Sequence, residues 1–269
     1  MSYIKTIHQI WYDFGNSKDV PDKYKEYQES WKKYHPDWEY ILWNEEMGDS
    51  LMKEHYNQYY ESYKNIKYPV MKTDILRYCI LEQHGGMYAD IDYKCLNNFD
   101  TYLKENNQYE IHINETPNKM LEVFSNHKTT SNSLLISTKK NHQFWKTIID
   151  ECFKRIKTQY DVYYIYYVVK TTGPGLINDM ISEIKTKDDK LYQKINILPL
   201  SQFNFCNDCK KCTPSKTENL YAVHDYVSYW NSDLWLNIRK LFSCASLENI
   251  CSLLVTLICA IYFLFTKYF

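Results

Sequence analysis

Residues 73–96 read TDILRYCILEQHGGMYADIDYKCL and carry a helix pattern followed by a strand pattern. The helix is predicted from Pro69 to His84, and the glycines at 85 and 86 end it. Its apolar stripe consists of Ile75, Leu76, Cys79 and Ile80. The residues that follow, 87–93, predict a strand, so a helix, a glycine stop and a strand stand in direct succession.

The segments on both sides alternate in the same way. Strands are predicted at 5–11, 38–43 and 133–137, and helices at 21–34, 141–157 and 174–184. Such alternation is typical of an α/β layered fold with a mostly parallel central sheet. Apolar residues make up 45% of the chain, which is enough for a sizeable core, and the net charge of -1 argues against a nucleic-acid partner.

Two carboxylates follow the glycine stop at a spacing of two. In a strand, residues i and i+2 point to the same face, so Asp90 and Asp92 are predicted to project together. Neighbouring carboxylates repel each other unless a cation lies beside them, and oxygen ligands suit Mn²⁺ or Mg²⁺. The alternative is a pair of solvated turn acids, because a bare D-x-D pattern is common by chance.

A second pair of charged residues lies one helix upstream. Asp74 and Arg77 are three residues apart and share a helix face. The functional interpretation is that Arg77 contacts a phosphate or a sugar with its planar fork, while Asp74 orients sugar hydroxyls. The alternative is an ordinary surface ion pair, which stabilises a protein little.

The stretch 73–96 resembles the core of the glycosyltransferases described as a sugar-binding region containing DXD. That group includes fungal initiating α-mannosyltransferases, inositol-phosphoceramide mannosyltransferases and, more distantly, the clostridial glucosylating toxins. Three further blocks resemble the family in the same order: KTIHQIWYDFG at 5–15, ESWKKYHPDWEYILWNEE at 29–46 and AVHDYVSYW at 222–230. The resemblance spans residues 4–230 and implies a GT-A type domain over residues 1–243.

The resemblance also implies a nucleotide-diphosphate sugar donor linked to UDP or GDP, a divalent Mn²⁺ or Mg²⁺ ion, and transfer of a hexose with retention of configuration. The implied catalytic set is Asp74, Arg77, Asp90 and Asp92. The implied metal ligands are Asp92, His224 and Asp90. The implied donor-binding set is Trp11, Asp74, Arg77, Asp90, Asn132, Ser228 and Trp230.

Individual roles follow the matched positions. Trp11 is expected to stack on the donor base, and Ser228 and Trp230 to reach the β-phosphate. Asn132 is expected to contact the donor sugar, on the strength of the strand that follows it. The stretch TGPG at 172–175 resembles a family Gly-Pro turn near the acceptor cleft, although a plain turn that opens a helix is the preferred explanation for its individual side chains.

The end of the chain differs in composition from the rest. Residues 250–265 read ICSLLVTLICAIYFLF, without charge or proline, and residues 247–269 are predicted to form a C-terminal membrane anchor. No signal peptide is recognisable, so the catalytic domain is expected to face the cytosol. A buried core helix is the alternative. Three cysteines at 206, 209 and 212 are spaced like zinc ligands but lack a clear fourth ligand.

The expected acceptor is a lipid, a glycan or a protein. Two other functional classes remain open. A glycoside hydrolase would use two carboxylates on opposite sides of a glycosidic bond. A non-catalytic, membrane-tethered glycan-binding module would bind sugar without a metal and without turnover. Activity on a nucleotide sugar, compared with activity on a free glycoside in the presence of EDTA, separates the three.

Overall fold

A computed structural model of the chain describes residues 3–12, 19–116, 129–204 and 220–225. The strands are β1 (Thr6–Ile10), β2 (Glu39–Trp43), β3 (Gly86–Ala89), β4 (Tyr93–Cys95), β5 (Ile111–Glu115), β6 (Thr130–Ser137), β7 (Ile195–Leu198) and β8 (Ala222–His224). The helices are α1 (Asp22–Tyr34), α2 (Glu45–His55), α3 (Asn57–Lys64), α4 (Pro69–His84), α5 (Asp100–Glu105), α6 (Gln143–Thr158), α7 (Tyr164–Thr171), α8 (Pro174–Lys187), α9 (Asp189–Tyr192) and α10 (Leu200–Phe203).

The main sheet has the strand order β2-β1-β3-β6-β5-β7, and β4 pairs with β8 in a separate two-stranded sheet. Within the described residues, β6 runs antiparallel to both of its neighbours, whereas the other pairings of the main sheet are parallel. The expected α/β layering is confirmed, but the sheet is mixed rather than simply parallel. β6 runs antiparallel to β5, the strand that precedes it in the chain, and it therefore enters the sheet in the opposite direction.

Helix α4 lies at the centre of the core. Its stripe residues Ile75, Leu76 and Ile80 are fully buried, and they belong to one apolar cluster with Trp145 of α6 and Leu176 of α8. Nine of its other thirteen residues are buried as well, so most of the helix surface is covered by protein. Asp74, Arg77 and Glu82 of α4 are therefore held inside the protein rather than on its surface.

A double-glycine turn connects α4 to β3. Gly85 and Gly86 have φ angles of 64° and 87°, in the left-handed region that favours glycine. A Cβ atom on Gly86 would lie 2.5 Å from the backbone oxygen of Thr6. The helix can therefore end abruptly and the chain can enter the sheet beside β1.

The strand predicted over 87–93 is in fact two strands separated by a turn. β3 ends at Ala89, and the Tyr93 amide donates a 3.1 Å hydrogen bond to the Asp90 carbonyl, which closes a turn over residues 90–93. The prediction of a continuous strand was wrong because β4 leaves the main sheet to pair with β8. In that pairing Tyr93 lies opposite His224.

Several predictions concern residues outside the described ranges. These are Ser228, Trp230, the cysteines at 206, 209 and 212, and the predicted anchor at 247–269. Among the helices that are described, none is both long enough and apolar enough to cross a bilayer. The described cysteines Cys79, Cys95 and Cys152 are buried free thiols.

Three buried histidines are held neutral by the fold. Burial is the main cause that lowers the pKa of His8 to about 3, and those of His35 and His112 to about 4. In the case of His8, Nδ1 accepts a hydrogen bond from the Trp43 indole, and Nε2 lies 3.0 Å from the Gly85 carbonyl, to which it donates. The neutral ring satisfies both contacts, whereas a protonated ring would lose the first.

Because these histidines are neutral in the folded protein, we expect the protein to lose stability in acid. A histidine whose pKa is lower in the folded protein than in the unfolded chain stabilises the fold at pH values above its unfolded pKa, near 6.5. This stabilisation is lost as the pH falls toward the pKa of the folded state. Between pH 7 and pH 5 the wild-type free energy of unfolding should therefore fall by about 2 kcal/mol more than that of His112→Leu. Urea unfolding at both pH values measures the difference. A His112→Leu curve parallel to that of the wild type would contradict the prediction.

Candidate active site

Three potential metal ligands meet where the acidic turn faces β8. One ligand atom from each of Asp90, Asp92 and His224 lies within 4.8 Å of the others. His224 Nε2 is 3.1 Å from an Asp92 carboxylate oxygen, and both side chains are buried. The His224 ring stacks on Tyr93 with 4.2 Å between ring centroids and an interplanar angle of 12°. The β4–β8 pairing thus brings a residue 132 positions away beside the D-x-D pair.

The electrostatics of this cluster favour a bound cation. Burial is the main cause that raises the pKa of Asp90, and the nearby Asp92 carboxylate raises it further. Arg77 opposes both effects. The Asp90 side chain is still 27% exposed, so the cluster is open to solvent on the Asp90 side. Two carboxylates and an imidazole form a ligand set that suits a hard or borderline divalent ion such as Mn²⁺.

Arg77 connects the acidic turn to helix α4. Its guanidinium donates hydrogen bonds of 2.9 Å to the Asp90 carboxylate and 2.8 Å to the Asn132 carbonyl, and it lies 3.1 Å from the Asp74 carboxylate. Its Cζ lies 4.7 Å from the centre of the Tyr88 ring. The Arg77 and Asp74 side chains are only 7% and 6% exposed, which excludes the surface ion pair considered from the sequence.

Asp74 is surrounded by donors as well as by Arg77. One carboxylate oxygen accepts from Asn132 Nδ2 at 2.8 Å, and the other accepts from the Thr172 hydroxyl at 3.0 Å. Burial is the main cause that raises the pKa of Asp74 to about 6, against the lowering effects of Arg77 and Thr172. Asp74 is therefore a buried carboxylate whose two oxygens are held by Arg77, Asn132 and Thr172.

The predicted residues come together to different degrees. Asp74, Arg77, Asp90 and Asn132 are joined by direct contacts, and Asp92 and His224 adjoin Asp90. Trp11 lies just beyond the end of β1 and is 8% exposed. It belongs to an apolar cluster that includes Ile91, the residue between the two acids of the turn, so it is a neighbour of the site.

Sequence reasoning missed Tyr78 and Tyr88, and it named Thr172 only as part of a turn near the acceptor cleft. The Tyr88 hydroxyl donates a 2.6 Å hydrogen bond to Asp90, and the Tyr78 hydroxyl donates a 2.7 Å bond to the Thr172 carbonyl. Tyr88 could have been found, because it stands two residues before Asp90 at the end of a strand. The contact of Thr172 with Asp74 spans 98 positions, and no local pattern indicates it.

The Thr172 hydroxyl gives a direct test of this network. Thr172→Val should raise the pKa of Asp74 above its wild-type value of about 6, because the lost hydrogen bond favours the ionised form. It should also lower the free energy of unfolding by about 1–3 kcal/mol. Carbon-detected NMR titration measures the pKa. Thr171→Val removes a neighbouring buried hydroxyl that bonds Gln159 instead, and it should leave the Asp74 pKa unchanged; equal shifts in both variants would refute the assignment.

Comparison with known proteins gives a family match over the segment that contains most of these site residues. Residues 21–109 match the family model described as "Glycosyltransferase sugar-binding region containing DXD motif". The matched segment contains Asp74, Arg77, Asp90 and Asp92.

Curated relatives include two fungal enzymes. The chain is 37% identical to the mannosyl phosphorylinositol ceramide synthase SUR1 of Saccharomyces cerevisiae over 99 residues, which is 37% of this chain and 25% of that protein. It is 26% identical to inositol phosphoceramide mannosyltransferase 2 of Schizosaccharomyces pombe over 242 residues, which is 87% of this chain and 61% of the relative. The chain thus spans between a quarter and about three fifths of these relatives.

A third relative has a similar length. An uncharacterized glycosyltransferase of Acanthamoeba polyphaga mimivirus is 26% identical over 235 residues, which is 86% of this chain and 84% of that protein.

Two solved toxin domains share the fold. The PaToxG glycosyltransferase aligns with a TM-score of 0.51 at 17% identity, over 71% of this chain and 73% of its own. The ligand-free glycosyltransferase domain of the YGT toxin aligns with a TM-score of 0.52 at 9% identity, over 73% and 80%. These matches support a GT-A-like α/β fold with a mixed sheet. The predicted resemblance is confirmed: residues 21–109 are similar to the DXD-containing sugar-binding region of glycosyltransferases, and the chain is similar to fungal mannosyltransferases.

Proposed function

We propose that the chain is a metal-dependent glycosyltransferase that moves a hexose from a UDP- or GDP-linked donor to an acceptor. The observation that carries this proposal is the meeting of Asp90, Asp92 and His224 within 4.8 Å, directly beside the buried Arg77. The family match over residues 21–109 supports the class of reaction.

Asp90, Asp92 and His224 would hold the ion, and their oxygen and nitrogen ligands fit Mn²⁺ or Mg²⁺. When bound, such an ion neutralises negative charge on the departing diphosphate. His224 is positioned for this role by its stacking on Tyr93 and by the β4–β8 pairing. The Asp90 backbone is fixed from two sides, because its amide donates to the Ser133 carbonyl and its carbonyl accepts from Gln9.

Arg77 supplies a fixed positive charge to the same place. Its pKa is raised far above the ordinary value, chiefly by Asp90 against the cost of burial, so it stays charged. The guanidinium is held by Asp74, Asp90 and the Asn132 carbonyl, and it needs no rearrangement to favour negative charge that develops beside it. Asp74 in turn presents a carboxylate for the hydroxyls of the donor sugar.

The geometry disfavours the hydrolase alternative. A glycoside hydrolase places its acids on either side of a bond, about 5–9.5 Å apart. Asp90 and Asp92 lie closer than that, and both adjoin the same imidazole. The glycan-binding module differs in a measurable way, because it predicts binding that is indifferent to metal.

Mannose is the first donor sugar to test, because the fungal relatives are named mannosyltransferases and mannosyl synthases. The acceptor class within the proposal is a lipid, a glycan or a protein, and the name of the Schizosaccharomyces pombe relative directs attention to inositol phosphoceramide. The proposal also includes retention of configuration, assistance from Ser228 and Trp230 at the β-phosphate, and a membrane anchor at 247–269 with the catalytic domain facing the cytosol.

A donor panel tests the proposed reaction. The full chain is incubated with UDP- and GDP-linked hexoses, with Mn²⁺ or with EDTA, and release of the free nucleotide is measured. The expected result is hydrolysis of one nucleotide sugar that EDTA abolishes and added Mn²⁺ restores. Hydrolysis of a free aryl glycoside that is insensitive to EDTA would overturn the proposal in favour of a hydrolase.

Trp11 tests the donor-base assignment. Trp11→Ala should raise the donor KM by about tenfold with a smaller effect on kcat, because base stacking contributes about 1–3 kcal/mol. Trp11→Phe keeps an aromatic face and should retain most of the affinity. Because Trp11 also packs in an apolar cluster, circular dichroism and thermal unfolding must first show that both variants fold. An unchanged donor KM in folded Trp11→Ala would remove Trp11 from the base site.

A further inference from the structure

An exposed tyrosine-rich surface lies beside the candidate site. Tyr160, Val162, Tyr163 and Tyr166 are 88%, 89%, 50% and 63% exposed. Among the described residues, the one other large hydrophobic side chain with comparable exposure is Met47, at 36%. Exposed apolar side chains are ordinarily scattered, so this concentration within seven consecutive positions indicates a contact surface. We call residues 160–166 the tyrosine surface.

Helix α7, which carries the end of the tyrosine surface, is held in place by packing within the protein. On the inner side of α7, Val168 is buried against Val70 and Met71 of α4, and the Tyr164 ring lies 4.5 Å from the Tyr68 ring. The outer side presents Tyr166 to solvent. Helix α7 is thus apolar on both sides, whereas a surface helix is ordinarily polar on its outer side.

The charge pattern of this segment suits a lipid interface. Between Lys157 and Lys170 the sequence holds one charged residue, Asp161. Its carboxylate accepts hydrogen bonds from Lys67 at 3.1 Å and from the Tyr68 hydroxyl at 2.6 Å, so its charge is already compensated. Placing this surface against a bilayer would therefore not strip water from an isolated charge.

The composition favours the same partner. Tyrosine has an apolar ring and a polar hydroxyl, and it is enriched at the boundary between lipid tails and water. The chain also carries the uncharged run at 250–265, which would keep the rest of the protein close to a membrane. We propose that the tyrosine surface lies on the lipid–water interface of a bilayer.

The position of this surface indicates what the membrane contact would do in catalysis. This step rests on the proposed glycosyltransferase function. Helix α7 ends at Thr171, and Thr172 donates to Asp74 of the site. At about 1.5 Å per helical residue, Tyr166 is separated from Thr172 by roughly 10 Å. A bilayer against the tyrosine surface would bring the head group of a membrane lipid beside Asp74. The inference therefore selects a lipid from among the acceptor classes.

Photolabelling of the full chain in phosphatidylcholine nanodiscs tests the contact. The discs contain a small fraction of phosphatidylcholine with a diazirine in its acyl chain, and adducts are mapped by peptide mass spectrometry. The expected result is lipid adducts on residues 160–166 in addition to any on 250–265. Val162→Asp should reduce the adducts on 160–166 at least about fivefold, because it places a charge in the interface. The matched variant Met47→Asp should leave them unchanged.

Three results would overturn the proposal: adducts confined to 250–265, labelling around residue 47 equal to that at 160–166, or unchanged labelling in Val162→Asp. Donor hydrolysis with Mn²⁺ is measured in the same discs. Labelling without hydrolysis contradicts the proposed function alone, and hydrolysis without labelling contradicts the membrane contact alone.

Discussion

Asp92→Ala is expected to lower donor hydrolysis and sugar transfer by about 10³-fold, because a preorganised electrostatic group at a reacting centre commonly contributes that much. Asp92 is one of the two carboxylates that adjoin His224, and it is almost fully buried. Its removal takes away a ligand of the proposed ion. It also takes away a repulsive neighbour of Asp90, so the fold should be retained.

Steady-state kinetics at saturating Mn²⁺ measure the Asp92 effect, and circular dichroism checks the fold. The matched control is Asp189→Ala, which removes an exposed aspartate at the start of α9 and should keep wild-type kcat and KM. Wild-type turnover by Asp92→Ala would refute the assignment of Asp92 as a metal ligand.

Arg77→Met is expected to lower the free energy of unfolding by about 3–5 kcal/mol, because it leaves a buried carboxylate without its cation. That carboxylate is Asp74, whose side chain is 6% exposed. The loss of the Arg77 contact should cost less free energy at Asp90, since its side chain is 27% exposed and water can replace part of that contact. Adding Asp74→Asn should recover roughly half of the loss, because position 74 then carries no buried charge that lacks its cation.

Urea unfolding of the single and double variants completes this cycle. Arg155→Met serves as the matched control. Its carboxylate partners Asp179 and Glu151 are 39% and 18% exposed, so that variant should cost clearly less than Arg77→Met. A loss below about 1 kcal/mol in Arg77→Met, or no recovery in the double variant, would contradict the view that Arg77 and Asp74 form one buried unit.

The sequence was sufficient where local pattern determines structure. The apolar stripe of α4 and the glycine pair at 85 and 86 predicted the central helix and its abrupt end, and both are observed. The D-x-D pair was predicted to bind a metal, and its two acids do lie together with His224, but the same-strand geometry predicted for them was wrong. A same-face argument for a strand does not apply to residues 90–93, which form a turn because β4 pairs with β8.

The remaining features depend on long-range contacts. Sequence analysis placed His224 beside Asp90 and Asp92 only because the segment 222–230 resembles the family. No local pattern could do so, because the β4–β8 pairing joins segments more than a hundred residues apart. The Thr172 contact with Asp74 likewise depends on how α7 packs against α4. The direction of β6 is also a tertiary property, because antiparallel and parallel strands share the same period of two.

One measurement bears most directly on the central claim, which is that Asp90, Asp92 and His224 together bind a divalent ion. Crystals of the chain grown with Mn²⁺ and GDP or UDP are measured at a wavelength where manganese scatters anomalously. The expected result is an anomalous peak between the carboxylates of Asp90 and Asp92 and the imidazole of His224, with the diphosphate on the Arg77 side. Bound nucleotide with no anomalous peak at these three residues would contradict the account.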